Sequence, residues 1–195
     1  MFYEIDNFPF LQEILKEVDL IAAEFKAQQS SPLLKDFISN DFPEGCSHID
    51  YYAKEQEITP TNLGFDFRNE AWGAFPLYKN GFEIKWYNVN RVFPTALKNI
   101  LKVPNLYFSS FIKLAAKKGI KSHKHLERHL AFHLCLENLD GHSEIYCGNE
   151  KRILKNRGDW AIFDTSVSHS SFNFSNTNRI NIAIDFPYNF NKLKK

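Results

Sequence analysis

Five short runs of apolar residues follow one another between Leu106 and Phe186, and this pattern limits the possible folds more than any other sequence feature. The runs are YFSSFIKLAA, LAFHLCLE, SEIYCG, DWAIFDT and RINIAIDF. Turn residues separate them at intervals typical of β-sandwiches and barrels: Lys118-Gly119, Asp140-Gly141, Cys147-Gly148-Asn149, Arg157-Gly158 and Asn176-Thr177-Asn178. The sequence therefore predicts a compact β half that begins near residue 106.

The first half of the chain has a helical and loop-rich texture. Residues 10–27 place apolar side chains on one helical stripe, which predicts an amphipathic helix: Leu11, Ile14, Leu15, Val18, Ile21, Ala22 and Phe25. Residues 28–70 are rich in loop signals, and Lys79-Asn80-Gly81 predicts the turn of a hairpin over residues 71–88. Pro94 opens a second predicted helix, TALKNILK.

These patterns predict one domain over residues 1–195, a length that can bury a sizeable core. Residues 1–105 are expected to form a helical, loop-rich layer with a hairpin. Residues 106–190 are expected to form the β core of the domain and to carry its functional site.

Composition argues against several classes of protein. A net charge of +1 gives no electrostatic case for binding nucleic acid. No apolar stretch approaches the ~18 residues that cross a bilayer, and the N-terminus lacks the basic start of a signal peptide. Cys46, Cys135 and Cys147 form no CxxC pair and are expected to be free thiols in a reducing compartment. We therefore expect a cytoplasmic protein with no transmembrane segment and no nucleic-acid partner.

Six of the seven histidines fall within residues 123–169, and four belong to the segment SHKHLERHLAFHL. Even steps separate these four, so an unbroken strand would place them on one face: His123, His125, His129 and His133. A row of four histidines on one face is unfavourable in an apolar core, because each imidazole needs a hydrogen-bond partner. Any single one can be a surface residue in a loop rich in lysine and arginine. Together with His169, the set favours a metal site inside a barrel.

Arg179 stands ten residues after His169, at the start of the apolar run RINIAIDF. Two or three protein ligands on Fe(II) leave positions open for a bidentate cosubstrate and O₂. A cosubstrate that carries a carboxylate needs a cation deep in the barrel, and the guanidinium fork pairs with a carboxylate through two hydrogen bonds. Since a buried guanidinium without an anion is costly, Arg179 is predicted to bind a carboxylate of a ligand.

Four segments together resemble the aspartyl/asparaginyl β-hydroxylase family of Fe(II)- and 2-oxoglutarate-dependent oxygenases, and the resemblance covers most of the chain. FPFLQEILKEVDLIAAEF is similar to the family's opening helix, and WGAFPLYKNG to its W-x-x-F-x-L-x-x-x-G segment. VPNLYFSSFIKLAAKKGIKSH is similar to the strand before the first metal histidine. FDTSVSH, followed ten residues later by RINIAIDF, resembles F-D-D-S-x-x-H…R-x-x-x-x-x-D-x and is the most specific of the four. The resemblance implies a mainly β, double-stranded β-helix (jelly-roll, cupin-like) fold with N-terminal helices packed on it.

The same resemblance implies roles for individual residues. His123 and His169 correspond to the iron ligands, and Arg179 corresponds to the residue that binds the distal carboxylate of 2-oxoglutarate. His133 falls where the family has a histidine that also contacts this cosubstrate. No catalytic residue beyond the metal ligands is implied.

The first metal ligand can be aligned in two ways. The lead-in Ile120-Lys121-Ser122-His123 aligns without a gap, whereas Gly119 alone would favour His125. Two residues after its first metal histidine the family carries a small residue or an acid, and this chain has His125. That imidazole either completes a three-histidine, cupin-like site or points away. If His125 is itself the first ligand, Glu127 is the candidate carboxylate ligand.

Two further positions depart from the family pattern. Ala131 stands where the family usually has an arginine, two residues before the cosubstrate histidine, and Arg128 and Lys113 are the candidates to compensate for it. Phe93 in RVFPTALK stands where the secretory-pathway hydroxylase has a cysteine. The missing cysteine agrees with a reducing compartment.

The resemblance implies an oxidoreductase that uses Fe(II), 2-oxoglutarate and O₂ to hydroxylate a C–H bond of an amino acid, a protein side chain or a lipid acyl chain. Two alternatives stay open. One is a cupin-like metal enzyme without 2-oxoglutarate, in which His123, His125 and His169 hold the metal and the substrate binds it directly. The His-x-His pair and Ala131 favour that alternative, while the spacing of Arg179 counts against it. The other is a non-catalytic binding module on the same fold.

Overall fold

Helices come first and strands dominate the rest of the described chain. A computed structural model describes residues 1–32, 34, 72–80, 84, 87–126, 128–139 and 141–188. The N-terminal helices are a 3₁₀ turn, Ile5–Asn7, then α1, Pro9–Lys16, and α2, Val18–Gln28. Two more helices follow, α3, Val89–Val92, and α4, Pro94–Ile100. None of these described helices has the length and apolar character that a bilayer crossing requires.

The predicted helix over residues 10–27 is two helices in the structure. The backbone leaves the helical region at Glu17, where φ is −96° and ψ is 7°, so the prediction of one continuous helix is wrong. The apolar stripe continues across the break because α1 and α2 both pack on the same sheet: Leu11, Ile14, Ile21, Ala22 and Phe25 are all buried. A periodic pattern alone therefore could not reveal the change of direction.

Helix α4 begins at Pro94, as the sequence predicts, and its N-terminus is tied to α2. Both carboxylate oxygens of Glu24 accept backbone N–H groups, from Thr95 at 2.7 Å and from Ala96 at 2.9 Å. These amides are orphan donors of the first helical turn, so the carboxylate satisfies them and also favours the positive end of the helix.

Nine strands lie among the described residues: β1 (Trp72–Lys79), β2 (Phe108–Leu114), β3 (Gly119–His123), β4 (Leu130–Glu137), β5 (Ser143–Cys147), β6 (Glu150–Leu154), β7 (Trp160–Asp164), β8 (His169–Asn173) and β9 (Arg179–Phe186). All five runs identified in the sequence are strands, namely β2, β4, β5, β7 and β9. Strands β3, β6 and β8 escaped sequence analysis because their polar residues interrupt any apolar run.

The strands form two antiparallel sheets. One has the order β1-β2-β9-β4-β7 and the other the order β3-β8-β5-β6. Leaving β1 aside, the strands from β2 to β9 lie alternately in the two sheets, except that β5 and β6 are neighbours in the four-stranded sheet. Strand β2 pairs with β9, and β3 pairs with β8. This is the strand arrangement of a jelly roll, and the predicted double-stranded β-helix with N-terminal helices is confirmed.

Strand β1 confirms the first half of the predicted hairpin. Its described partner is β2, and the register shifts between Pro76 and Tyr78. A proline fits at such an irregularity, where the ladder does not require its missing N–H. Residues 81–83, 85 and 86, where the second strand of the hairpin was predicted, lie outside the described residues.

The five-stranded sheet has two different faces. Its outer face packs on the helices through the larger of the apolar clusters, which contains Phe111, Phe132, Ile182 and Phe186. Its inner face meets the four-stranded sheet in a smaller cluster made of Ala131, Cys135, Ile145, Cys147, Leu154, Ala161 and Phe163. The inner face is therefore where two sheets enclose side chains from both sides.

Candidate functional site

The inner face carries the polar side chains that sequence analysis singled out. Alternate residues of a strand point to the same side of a sheet, and two strands supply most of this face: Arg179, Asn181, Ala183 and Asp185 from β9, and Ala131, His133 and Cys135 from β4. Burial raises the pKa of the Cys135 thiol to about 12, so it stays protonated. Cys135 is therefore a small buried hydrophobic residue rather than a nucleophile.

Three histidines meet at one end of this face. His123 ends β3 and pairs directly with His169, the first residue of β8, while His125 lies in the loop after β3. One ligand atom of each lies within 4.8 Å of the others. Because a metal–imidazole bond is about 2.1 Å long, this group can hold one metal ion. Glu127, the alternative carboxylate ligand, lies outside the described residues.

Hydrogen bonds fix the tautomers of two of these histidines. Nδ1 of His123 lies 2.8 Å from the carbonyl oxygen of Lys121, and Nδ1 of His169 lies 2.9 Å from that of Val167. A carbonyl oxygen only accepts, so each Nδ1 carries the hydrogen and each Nε2 presents a lone pair. Neutral imidazoles held by a second-sphere acceptor are the usual form of metal-binding histidine.

The tautomer of His125 is not fixed by a backbone carbonyl of the described residues, because its Nδ1 faces a ring nitrogen of another histidine. Its Nδ1 lies 3.3 Å from Nε2 of His129, and that same Nε2 lies 3.4 Å from Oδ2 of Asp185. A neutral ring nitrogen has either a hydrogen or a lone pair, so Nε2 of His129 accepts from His125 or donates to Asp185, but not both. The ability of His125 to present Nε2 to a metal therefore depends on the tautomer of His129.

Asp185 is the carboxylate of this end of the site. Burial alone would raise its pKa, but the contact with His129 and the field of the neighbouring histidines hold that pKa below its ordinary value. An ionised Asp185 favours a hydrogen on the facing nitrogen of His129.

One turn between β7 and β8 holds the histidine-bearing loop in place. Thr165 donates from both its backbone N–H and its hydroxyl to the carbonyl of His129, at 3.0 Å each, and its own carbonyl accepts from the N–H of His125 at 2.9 Å. Asp164 accepts the N–H and hydroxyl of Ser166 within the turn. These contacts explain the F-D-T-S segment, whose aspartate has a structural role in the turn.

Arg179 lies at the opposite end of the inner face and is fully buried. Its Nη1 donates to the hydroxyls of Ser143 at 2.6 Å and Ser171 at 2.9 Å, so the guanidinium bridges to the four-stranded sheet. Within the described part of the chain, no carboxylate forms an ion pair with Arg179, and its Nε has no hydrogen-bond partner. Burial lowers the pKa of this guanidinium only to about 10, so it remains charged.

The distance between the two ends follows from the strand geometry. Ser171, which contacts Arg179, is the next inward-facing residue after His169 on β8. Two residues of a strand span roughly 7 Å. A ligand that reaches from the histidines to the guanidinium is therefore of the size of an extended five-carbon chain.

Neither candidate for compensating Ala131 faces the site. Lys113 pairs with Ile180, whose side chain belongs to the helix-covered cluster, so Lys113 lies on the outer face of the sheet. Arg128 binds Asp164 through Nε at 2.9 Å and Nη2 at 2.8 Å. The suggested compensation by Arg128 or Lys113 is therefore wrong, and Ala131 instead lies directly opposite Asp185 in the register of β4 and β9.

Small side chains separate the two ends. Ala183 lies opposite His133, which in turn lies opposite Ala161, and Ala131 is two residues before His133. We call Ala131, Ala161 and Ala183 the alanine patch. Facing sheets are about 10 Å apart, and methyl groups fill little of that separation, so larger residues here would close the space that the patch leaves.

Polar atoms without hydrogen-bond partners surround the alanine patch. Within the described residues they are Ser110 Oγ, His133 Nδ1, Arg179 Nε, and both Nδ2 and Oδ1 of Asn181. Buried polar groups are nearly always paired, and each orphan costs about 1–3 kcal/mol. Their concentration on one face is what a site for a polar ligand would show.

His169 is buried as a neutral group, which makes folding sensitive to acid. Burial lowers the pKa of His169 from 6.5 to about 4. Below pH 6.5 the unfolded chain binds a proton that the folded chain refuses, so stability is lost as the pH falls from 6.5 to 4. We expect His169 to contribute a slope of about 1.4 kcal/mol per pH unit in this window.

Urea unfolding of the metal-free protein at several pH values measures this slope. The His169→Asn variant lacks the titrating group, so its free energy of unfolding should fall less steeply than that of the wild type between pH 6.5 and 4. Parallel curves for the two proteins would show that His169 has the same pKa in the folded and the unfolded protein.

Several residues of the site were not identified from the sequence. Asn181 and Asp185 share the inner face with Arg179 through simple alternation along β9, a signal that was present in RINIAIDF. Ser110 joins them because it pairs with Ala183 across β2 and β9. His129 was noticed for its even spacing, but β3 ends at His123 and β4 begins at Leu130, so the histidines do not share one strand.

Comparison with known proteins gives a family. The sequence profile of the family described as aspartyl/asparaginyl beta-hydroxylase matches residues 36–188. A search of curated proteins gave no match. TT1209 from Thermus thermophilus is similar in structure, with a TM-score of 0.41 and 14% identity over 62% of this chain and 88% of that chain. KdgF from Halomonas sp. has a TM-score of 0.41 and 14% identity over 69% of this chain and 96% of that chain. A cupin 2 conserved barrel domain protein from Salinispora arenicola CNS-205 has a TM-score of 0.39 and 14% identity, over 65% and 82% of the two chains.

Proposed function

Because the chain belongs to the aspartyl/asparaginyl β-hydroxylase family, we propose that it is an Fe(II)- and 2-oxoglutarate-dependent oxygenase that hydroxylates a C–H bond. His123 and His169 would hold the iron, with His125 as a third ligand. Arg179 would bind the distal carboxylate of 2-oxoglutarate, and His133 would contact the same molecule. Bound Fe(II), together with 2-oxoglutarate and O₂, supplies the oxidising power that no amino-acid side chain has.

One observation carries the proposal: a fully buried, charged Arg179 has no carboxylate partner among the described residues. An uncompensated buried cation is strongly unfavourable. A dicarboxylate that places one end on this guanidinium and the other near the histidines supplies the missing anion. The planar fork of arginine suits a carboxylate, to which it can donate two parallel hydrogen bonds.

The donor set of the histidine group supports a metal with open positions. Three imidazole nitrogens occupy half of an octahedral coordination sphere, so three positions stay available, two for a chelating 2-oxo acid and one for O₂. Imidazole binds iron, zinc and copper alike. The preference for iron therefore rests on the family and on the carboxylate-binding end of the site.

The part of the site between the histidines and Arg179 has the properties of a binding site for a cosubstrate rather than those of a close-packed apolar core. The alanine patch leaves space between the sheets, and the orphan polar atoms around it are mostly hydrogen-bond donors. Donors suit the carboxylate and keto oxygens of 2-oxoglutarate. His133 is neutral in this setting, because burial lowers its pKa to about 3.

The oxidised substrate would be an amino acid, a protein side chain or a lipid acyl chain, the classes on which the family acts. Residues 35–71 include most of the predicted loop-rich region and lie outside the described residues. The residues of the inner face support the binding of a cosubstrate. The choice among the three substrate classes rests on the family.

A second candidate function is a cupin-like metal enzyme that does not use 2-oxoglutarate. Two observations favour it: His125 lies within reach of the same metal as His123 and His169, and Ala131 replaces the family's arginine with no described cation in its place. In that case the substrate itself would bind the metal, and Arg179 would bind a carboxylate of the substrate.

Anaerobic titration with Fe(II), with and without 2-oxoglutarate, separates these functions. A 2-oxo acid chelated to Fe(II) gives a weak visible charge-transfer band, so one equivalent of iron and a saturable band support the oxygenase. Stoichiometric iron without the band favours the cupin-like enzyme. If neither iron nor 2-oxoglutarate binds, the fold serves as a binding module and the proposal is wrong.

A further inference from the structure

Asn181 is a buried residue of the inner face whose side-chain amide makes no hydrogen bond within the described residues. Its side chain is fully buried, and neither Nδ2 nor Oδ1 has a hydrogen-bond partner among the described residues. A side-chain amide offers two donor hydrogens and an acceptor oxygen, and leaving them unmet in a buried place costs free energy. A bound ligand that pairs with this amide would offset that cost.

A second buried asparagine shows how the same side chain is used structurally. Asn173 is also fully buried. Its Nδ2 donates to the backbone carbonyls of Leu114, Ala115 and Thr177 at 2.8–3.2 Å, and its Oδ1 accepts from Ser175. This amide closes the turn between β8 and β9. Asn181 has the same burial and none of these bonds.

The register places Asn181 between the two ends of the site. It lies two residues after Arg179 and two before Ala183 on the inner face of β9, and it pairs with Cys135 of β4. Ser110 and His133, which flank Ala183 on β2 and β4, carry the other orphan atoms. Asn181 therefore borders the alanine patch on the side of the guanidinium.

The chemistry of the orphan atoms indicates what they bind. Nε of Arg179 and Nδ2 of Asn181 only donate, and the hydroxyl of Ser110 can donate. A cluster of donors beside a buried positive charge is complementary to carboxylate oxygens. A neutral or cationic ligand would leave the charge of the buried guanidinium uncompensated.

We propose that Asn181 donates from Nδ2 to the carboxylate that Arg179 binds, and so is a specificity-determining residue for the acidic cosubstrate. This inference rests on the proposed function and extends it by one residue. It also gives the site a second donor for the carboxylate in a chain whose residue 131 is alanine instead of the family's arginine.

The test is the affinity of the Fe(II)-loaded protein for 2-oxoglutarate, measured anaerobically from the charge-transfer band. Asn181→Leu keeps the branched outline of four side-chain heavy atoms and removes both polar atoms, so we expect binding about ten- to a hundredfold weaker, as for loss of a hydrogen bond to a charged group. Asn181→Asp places a negative charge beside the carboxylate and should weaken binding further. The affinity for Fe(II) alone should change in neither variant by more than about threefold.

A stability measurement separates ligand binding from a structural role. Because the amide of Asn181 makes no described bonds, Asn181→Leu should leave the urea midpoint of the metal-free protein unchanged or raise it. Asn173→Leu is the matched control: it removes several backbone contacts and should lower the midpoint clearly.

The outcomes are distinct. If Asn181→Leu binds 2-oxoglutarate like the wild type, the inference is wrong while the proposed function stands. If its midpoint falls as far as that of Asn173→Leu, Asn181 is a structural residue and the inference is again wrong. If the wild type itself gives no band with 2-oxoglutarate, the proposed function fails and takes the inference with it.

Discussion

Replacing Arg179 by methionine is expected to weaken binding of 2-oxoglutarate to the Fe(II)-loaded protein by roughly a hundredfold to a thousandfold. Methionine has a similar length but neither charge nor donors. A carboxylate left in this buried place would have no cation opposite it, and breaking a buried ion pair by removing one partner costs about 3–5 kcal/mol. Each 1.4 kcal/mol corresponds to about a tenfold change in affinity.

The same substitution should not destabilise the metal-free protein. Arg179 contacts the hydroxyls of Ser143 and Ser171, but each of these hydroxyls donates its own hydrogen to a backbone carbonyl, of Phe172 and Glu144 respectively. Both hydroxyls keep that bond when the guanidinium is gone. Since an unpaired buried cation is itself unfavourable, the free energy of unfolding should stay level or increase.

Two measurements check this pair of expectations: the charge-transfer titration of the Fe(II)-loaded protein and urea unfolding of the metal-free protein. Arg152→Met is the matched control, because Arg152 forms a surface ion pair with Glu4 and surface pairs contribute at most about 1 kcal/mol. Weak binding together with unchanged folding marks Arg179 as a ligand-binding residue. Unchanged binding of 2-oxoglutarate by Arg179→Met would remove the observation on which the oxygenase proposal depends.

Two of the strands that the sequence revealed, β4 and β9, are buried on both faces. LAFHLCLE and RINIAIDF match β4 and β9 from end to end, because both strands lie inside the five-stranded sheet, between the helices and the second sheet. β3 and β6 are edge strands with exposed residues, and their composition resembles that of loops. A pattern of apolar runs finds only strands that need apolar residues.

The candidate site was predicted in its residue types and only partly in its geometry. His123, His169 and Arg179 could be selected because motif and spacing agree with a family. The pairing of Ala131 with Asp185 depends on the register between β4 and β9, which are far apart in sequence. Register also decides that Lys113 faces the helices. No property of a single segment contains that information, since a shift by one residue would reverse every side chain.

His169→Ala is expected to abolish tight metal binding, whereas His125→Ala should weaken it by about ten- to a hundredfold, the range seen when a supporting group is lost. The difference follows from the hydrogen bonds. Backbone carbonyls hold His123 and His169 in the tautomer that has a lone pair on Nε2. Nδ1 of His125 instead faces Nε2 of His129, for which Asp185 competes. His123 and His169 are therefore held in the metal-binding tautomer, whereas metal binding by His125 depends on the tautomer of His129.

Competition titrations with Co(II) and a chelator, together with metal content after dialysis, measure these affinities. His142→Ala is the control, because His142 is a surface histidine that contacts Glu144 on the four-stranded sheet, and it should bind metal like the wild type. Equal losses for His125→Ala and His169→Ala would mean that metal binding turns the ring of His129 away from Asp185 and makes all three histidines full ligands. That result would agree with the three-histidine ligand set of both candidate functions, and the charge-transfer titration with 2-oxoglutarate would then decide between them.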